Sequence, residues 1–345
     1  MRTISEKLAK AVELIENHFS NWKTPSFFVQ FGSGFNADLL FDEAPQAIEL
    51  SKLPNMPDYH NPDSEHPSLL YGACMGVPVL ALRGHRHLYE GLGTYPCVFP
   101  ICTAWKLGIH RHIFIEGALS LRTELKPGTW TLLTDYINGH GVSPLDGLHH
   151  LLNTPFPDMM DALSQHQNSE FVNAFVERGI DPRLCVYMSR PGSQFCTVAE
   201  AEASRQSGAD IVGHDLVMEI IMAHALECKV SAFALVAESA PIATSRPLHR
   251  RNILDNCNFC STEFMRAFRP ALQEIDRLEA VVQSPVLPSS EAEDILFNDF
   301  HRPSGKPPKL KLVKKARMNH ASVPSVPLVP LVSLVPYFQA ISHKP

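Results

Sequence analysis

Arg83, His85, Arg86 and His87 fall within five positions of one another, and Tyr89 and Glu90 follow directly. Such a density of donors suits an anionic ligand, because charge-assisted bonds to phosphate or carboxylate are the strong ones. The plain alternative is a solvated basic loop, and three neighbouring side chains on one loop cannot all point inward. A second candidate is Gly32-Ser33-Gly34, a turn that would expose backbone N–H groups and one hydroxyl, a common way to hold a phosphate. His214-Asp215 opens a helical stretch, where Asp215 is either a ligand-facing carboxylate or a helix cap. Glu238 ends an apolar run, and ligands gather at the carboxyl ends of strands in an α/β sheet. Cys196 reads more readily as a small packing residue than as a nucleophile. Cys257 and Cys260 have metal-knuckle spacing with no second pair near them, so no metal site is expected.

These residues need elements to hold them. Val77 to Leu82 is a short, continuous, apolar run, the pattern of a strand buried on both faces, and Gly84 then permits a sharp turn into the His/Arg cluster. Pro25 to Phe31 reads as the strand that precedes the Gly-Ser-Gly turn. His112 to Ile115 is a strand that runs into Glu116-Gly117-Ala118-Leu119-Ser120, and Thr129 to Ile137 is another. A helical region containing Met159 to Leu163 and Phe171 to Arg178 leads to the strand Leu184 to Met188. Thr197 with Glu200 three residues on makes a capping box for a helix over Val198 to Ser207, which stops at Gly208. Short strand 209–213, helix 217–226 and strand 230–237 complete an alternation of strands and helices, which is the signature of an α/β fold with a mixed sheet.

The 345 residues, 45% hydrophobic and 19% charged, describe a globular chain with a substantial core. A formal charge of −6 and the lack of a long basic block before residue 300 argue against nucleic acid as partner and for a small polar metabolite. Residues 1–19 have helical spacing with interspersed Glu and Lys, which is an amphipathic helix and not a signal peptide, and no apolar run reaches membrane-spanning length. Eight scattered cysteines suggest reduced thiols in a cytoplasm. From residue 285 the chain is rich in Pro and Ser, then basic over Lys306 to Arg317, and is expected to be a disordered tail on a single domain spanning residues 1–284.

In order and spacing, GSG at 32–34, GHRHLYEG at 84–91, SLRTELKPG at 120–128, SRPGSQFCTVAEAE at 189–202 and GADIVGHDLVMEIIMAHA at 208–225 resemble the purine nucleoside phosphorylases. The trimeric class, which includes the methylthioadenosine phosphorylases, is the most similar. The resemblance implies a central mixed sheet flanked by helices, a homotrimer, and cleavage of a purine nucleoside by phosphate to free base and pentose 1-phosphate, with no cofactor beyond phosphate. It implies a phosphate cradle of Ser33, His66, His85, Arg86, His87, Gly117 and Asp215. The nucleoside would lie against Tyr89, Ala118, Phe195, Cys196, His214 and Glu238, with His87 and Glu238 carrying the catalysis.

The match departs from the family pattern at the site itself. His85 replaces an Arg, Glu116-Gly117-Ala118-Leu119-Ser120 replaces Asn-Ala-Ala-Gly-Gly, Cys196 replaces the Glu of Phe-Glu-Thr, and His214-Asp215 replaces Met-Ser. A carboxylate at 215 opposes phosphate unless it is protonated or turned away. Two further readings therefore stand beside phosphorolysis: a nucleoside hydrolase in which Asp215 or Glu116 activates water, and an inactive member that binds a nucleoside or a partner protein.

Overall fold

Phe27-Phe28-Val29-Gln30-Phe31 is apolar but for one residue, and in the computed structural model all five side chains of this strand, β1 (Phe27–Phe31), are buried. Residues 4–54, 56–58, 66–147, 152, 154, 156–241 and 247–283 are described. The chain divides into two units, Met1–Pro285 and Val286–Pro345, and the described residues belong to the first. The tail expected from residue 285 lies outside them, as does most of the polar stretch between Leu53 and Pro67.

β1 runs parallel to β4 (Val77–Arg83) on one side and to β5 (Arg111–Ser120) on the other. Its side chains alternate between two cores. Phe27, Val29 and Phe31 join the phenylalanines of α3 (Gln165–Val176) and α6 (Arg250–Gln283). Phe28 faces the opposite cluster, built with α1 (Ile4–His18), α2 (Tyr95–Lys106) and α5 (Val217–Ala225). Phe171, Phe264 and Phe268 meet Phe233 edge-on and Phe175 stacks on it, and each such burial stabilises the fold by roughly 2 kcal/mol. The α1 helix forms because Leu8, Ala11 and Ile15 recur on one face and are buried there.

The remaining strands are β2 (Gln46–Glu49), β3 (Ser68–Cys74), β6 (Trp130–Asn138), β7 (Arg183–Ser189), β8 (Ile211–Gly213) and β9 (Lys229–Ser239). The sheet order is β2-β3-β4-β1-β5-β8-β7-β6-β9, and β9 pairs again with β5, so β5, β8, β7, β6 and β9 close into a ring while β2, β3, β4 and β1 form an open wing. The pairings are both parallel and antiparallel, which is the mixed sheet expected. Where wing and ring meet, β5 slips register against β9 between Ala118 and Leu119, a bulge that bends the strand. Gly117 precedes the slip because α6 lies close: a Cβ there would sit 2.8 Å from Cys257 Sγ.

Three local readings differ from the sequence expectation. The strand expected over 112–115 continues to Ser120, since its second half finds β8 and β9 as partners. Met159 to Leu163 is a turn: Asp158 accepts the Met160 N–H, and the helix begins only after Ser164, whose hydroxyl accepts from Gln167 N–H. Cys257 and Cys260 sit one turn apart on α6, which the sequence reading did not identify as a helix, and all eight cysteines are free thiols. Among the described residues no helix is long and apolar enough to cross a membrane.

Candidate functional site

The carboxyl ends of β1, β4 and β8 and the bent second half of β5 surround a cavity of about 400 Å³. Such strand ends are where α/β sheets collect ligands. One wall is the loop after β7, from Arg190 to Cys196, with Tyr89 and His214 beside it. The other wall, Ser33, His87 and Arg250, is shared with an adjoining cavity of about 430 Å³ that reaches Gly84 and His85. Arg250 opens α6, and among the described residues no ion-pair partner of its guanidinium is found.

Beneath the shared wall lies a cluster of buried ionisable groups. His85 Nε2 is 3.5 Å from Asp215 Oδ1 and 3.8 Å from Glu116 Oε2. His87 Nε2 is 3.9 Å from Asp215 Oδ2, and the two imidazoles stack with centroids 4.3 Å apart. His87 Nδ1 lies 3.2 Å from the backbone oxygen of His85 and 3.8 Å from Glu90 Oε1. Glu116 bends back to accept its own Gly117 N–H. Its carboxylate occupies the space that a Cβ on Gly32 would need. His85 Nδ1 and Nε2 and Glu116 Oε2 are all buried without a hydrogen-bond partner.

Burial and these neighbours set the charges. Burial alone would discharge His85, but Asp215, then Glu116 and Glu219, raise its pKa to about 10. Burial pushes His87 down to about 4, so it is neutral near pH 7. Burial also opposes charge on Asp215, yet the imidazoles of His87 and His85 hold its carboxyl well below the usual range. Glu116, desolvated and facing Asp215, is raised to about 8. These shifts favour an ionised Asp215 beside a charged His85, and oppose charge on His87, Glu116 and Glu219.

The backbone at Asp215 is unusual. Leu216 has φ 72° and ψ −42°, and Val217 N–H donates to Asp215 O across 2.9 Å, which is a γ-turn of the rarer hand. A non-glycine residue held there costs about 1–3 kcal/mol. Burial of Leu216 in the core and the start of α5 directly after it hold the turn in place. The helix-cap reading of Asp215 is not met, since no side chain caps α5 and the carboxylate faces the histidines.

Of the residues expected from sequence, Ser33, His87, Gly117, Ala118, Tyr89, Phe195, Cys196, His214 and Asp215 all line the cavity. His85 lies behind them. Three residues fall elsewhere. Arg86 is turned away: its guanidinium pairs with Glu90 Oε2 across 2.7 Å and donates to the backbone oxygen of Pro57, because the short turn at Leu88–Glu90 brings Glu90 back over it. His66 is exposed just before β3 and lines neither cavity. Glu238 follows the register slip of β9 against β5, and its carboxylate accepts the Ser239 N–H instead of lining the cavity.

Sequence reasoning missed Arg250, which has no motif around it. It also missed the buried Glu219, which accepts from Gln30 Nε2 at 3.2 Å and joins β1 to α5. A polar residue alternating into an otherwise apolar strand, Gln30 in β1, was the available signal. Arg190 was within a quoted motif without a role; its guanidinium is fixed by Glu200 across 2.7 Å, so the capping box of α4 (Val198–Gln206) also braces the cavity wall.

The sequence profile described as the phosphorylase superfamily matches residues 49–273. The chain is 27% identical over 262 residues to purine nucleoside phosphorylase 1 of Geobacillus stearothermophilus, spanning 75% of this chain and 94% of that one. It is 32% identical over 190 residues to the purine nucleoside phosphorylase of Mycobacterium tuberculosis, spanning 53% of this chain and 66% of the relative. In structure it is similar to a Schistosoma purine nucleoside phosphorylase in complex with hypoxanthine, with a TM-score of 0.69 and 23% identity, over 79% of this chain and 98% of the other.

Proposed function

The chain belongs to the phosphorylase superfamily, and from that premise we propose that it cleaves a purine nucleoside with phosphate, releasing the base and a pentose 1-phosphate. The observation that carries this reading is a cavity in which Tyr89 and Phe195 meet Ser33, His87 and Arg250. Its size, about 400 Å³, lies within the roughly 300–1,000 Å³ of small-molecule sites. Phe195 packs on the base and Tyr89 lies along the sugar. Ser33, His87 and the Gly117–Ala118 backbone hold phosphate beneath C1′, with Arg250 supplying positive charge. Holding the two reactants in line is itself a large part of such a rate enhancement, and the loosening glycosidic bond passes through an oxocarbenium-like state. The assembly we propose is a homotrimer, and the setting purine salvage in the cytoplasm.

One observation favours a second reading. Asp215 faces His87 as an ionised carboxylate, and phosphate about 4 Å from it would be repelled by roughly 4 kcal/mol per unit charge at an effective dielectric of 20. A water molecule carries no such penalty, so hydrolysis is the competitor. Incubation with inosine, guanosine, adenosine and methylthioadenosine, each with and without phosphate, separates the two by the release of free base. Phosphorolysis requires release that depends on phosphate. Equal release in its absence identifies a hydrolase, and no release from any of them overturns both.

A further inference from the structure

We propose that the ligand of this site is a purine nucleoside 5′-monophosphate, with its base in the candidate cavity and its 5′-phosphate held by Arg250 and Ser33 in the adjoining one. The purine end rests on the reading above, whereas the anion end stands on the second cavity itself. The two cavities, about 400 and 430 Å³, share the wall of Ser33, His87 and Arg250. They differ in charge. Glu116 and Asp215 line the first. Arg83 and Arg250 line the second, where Asp38 is the one carboxylate among the described residues and already pairs with Arg83 across 3.5 Å.

Close packing places the two groups side by side. Gly34 has φ 90°, and a Cβ on it would lie 2.9 Å from the Leu254 backbone, so the Gly-Ser-Gly turn rests directly on α6. Arg250 is four residues before Leu254 and therefore on the same face of that helix, over the turn that carries Ser33. Among the described residues the Arg250 guanidinium has neither an ion pair nor a hydrogen bond, and the Ser33 hydroxyl has no hydrogen-bond partner. A fork of fixed N–H donors beside a free hydroxyl suits a phosphate monoester, which the fork meets bidentately. The neighbouring Arg251 contrasts with this: its side chain is 91% exposed and faces Asp255 across 3.8 Å.

A nucleoside carries its base on C1′ and its 5′ carbon on the opposite side of the sugar ring. With the base on Phe195 and the sugar along Tyr89, the 5′ substituent is directed to the shared wall, where the His87 ring lies 4.6 Å from that of Tyr89. A free phosphate and a phosphate ester offer Arg250 the same oxygens. The ester is favoured on two counts: the bound base makes its contact with Arg250 intramolecular, and its charge lies in the basic cavity and not beside Glu116 and Asp215.

The full-length protein is titrated calorimetrically, in buffer without phosphate, with inosine, inosine 5′-monophosphate, ribose 5-phosphate and inorganic phosphate in turn. The monophosphate should bind about tenfold to a hundredfold more tightly than inosine, the worth of hydrogen bonds to a charged group. Arg250→Ala should abolish that advantage and leave the affinity for inosine within about twofold. Arg251→Ala should alter neither, which separates a contact from the general field of the helix end. Both positions are exposed, and circular dichroism establishes that each variant is folded. An advantage that survives Arg250→Ala overturns the proposal, as does inorganic phosphate binding as tightly as the monophosphate with the same dependence on Arg250. If inosine binds and its monophosphate binds no better, the purine reading stands and the 5′-phosphate site fails. If ribose 5-phosphate binds as tightly as the monophosphate and loses that affinity in Arg250→Ala, the 5′-phosphate site stands and the purine reading fails.

Discussion

The wall made by Tyr89 and Phe195 and the cluster of His85, Asp215 and Glu116 beneath the opposite wall differ in what holds them. Phe195 sits on a loop, part-exposed, with Leu119, Ala201 and Val212 as its small apolar support. Tyr89 is 40% exposed and leans edge-on to His87. The cluster is inside the protein, tied to β1, β4, β5 and α5, and three of its polar atoms lack partners. A loop-borne aromatic wall can change with little effect on folding. A buried charge cluster cannot, because a change to one member leaves another unpaired.

The largest expected effect follows from that asymmetry. Asp215→Asn removes the carboxylate that keeps His85 charged, and urea unfolding should show a loss of about 3 kcal/mol. The double variant His85→Leu with Asp215→Leu should return to within about 1 kcal/mol of the parent, since apolar replacement of a whole buried pair is often neutral. If the single variant is as stable as the parent, the cluster is not a coupled unit and the contrast between the walls disappears.

On the other wall the effect moves from stability to affinity. Phe195→Ala should weaken nucleoside binding by about tenfold, the worth of a lost aromatic packing surface, while the unfolding midpoint stays within the error of the parent. Equal loss of stability in both variants would show that the loop is part of the core.

What the sequence disclosed follows the same division. The elements that position the site were legible because β1, β4 and β7 are continuous apolar runs and Thr197 with Glu200 spells a capping box, all local signals. The composition of the loops also gave Ser33 and His87, and Phe195 came with the family resemblance. The coupling of Glu116, His85, Asp215 and Glu219 was not legible, because it joins His85 and Glu116 to a distant stretch of chain, Asp215 to Glu219, through the closure of β5 onto β9 and β8. Arg86 misled for a different reason: its partner Glu90 lies four residues on, but pairing needs the short turn between them.

Glu238 sharpens the comparison from the opposite side, and its expected effect is the smallest. A carboxylate at the end of an apolar strand looked from sequence like the acid that lets the base leave, for which replacement would cut turnover by about two to four orders of magnitude. In the fold, β9 pairs with β5 residue for residue from Lys229↔Arg111 to Val236↔Ala118, then slips so that Leu119 meets Glu238. That slip advances β9 by one residue, and with strand side chains alternating, a shift of one moves a side chain to the other face. Leu119 keeps its place in the cavity wall, whereas Glu238 turns its carboxylate to the Ser239 N–H. Glu238→Gln can keep that bond through its amide oxygen. Base release by the variant, measured under the conditions that support the parent, should therefore stay within about threefold, far short of a positioned acid. A loss of a hundredfold or more would mean that the carboxylate turns into the cavity when a nucleoside binds, and the aromatic wall would then carry an acid of its own.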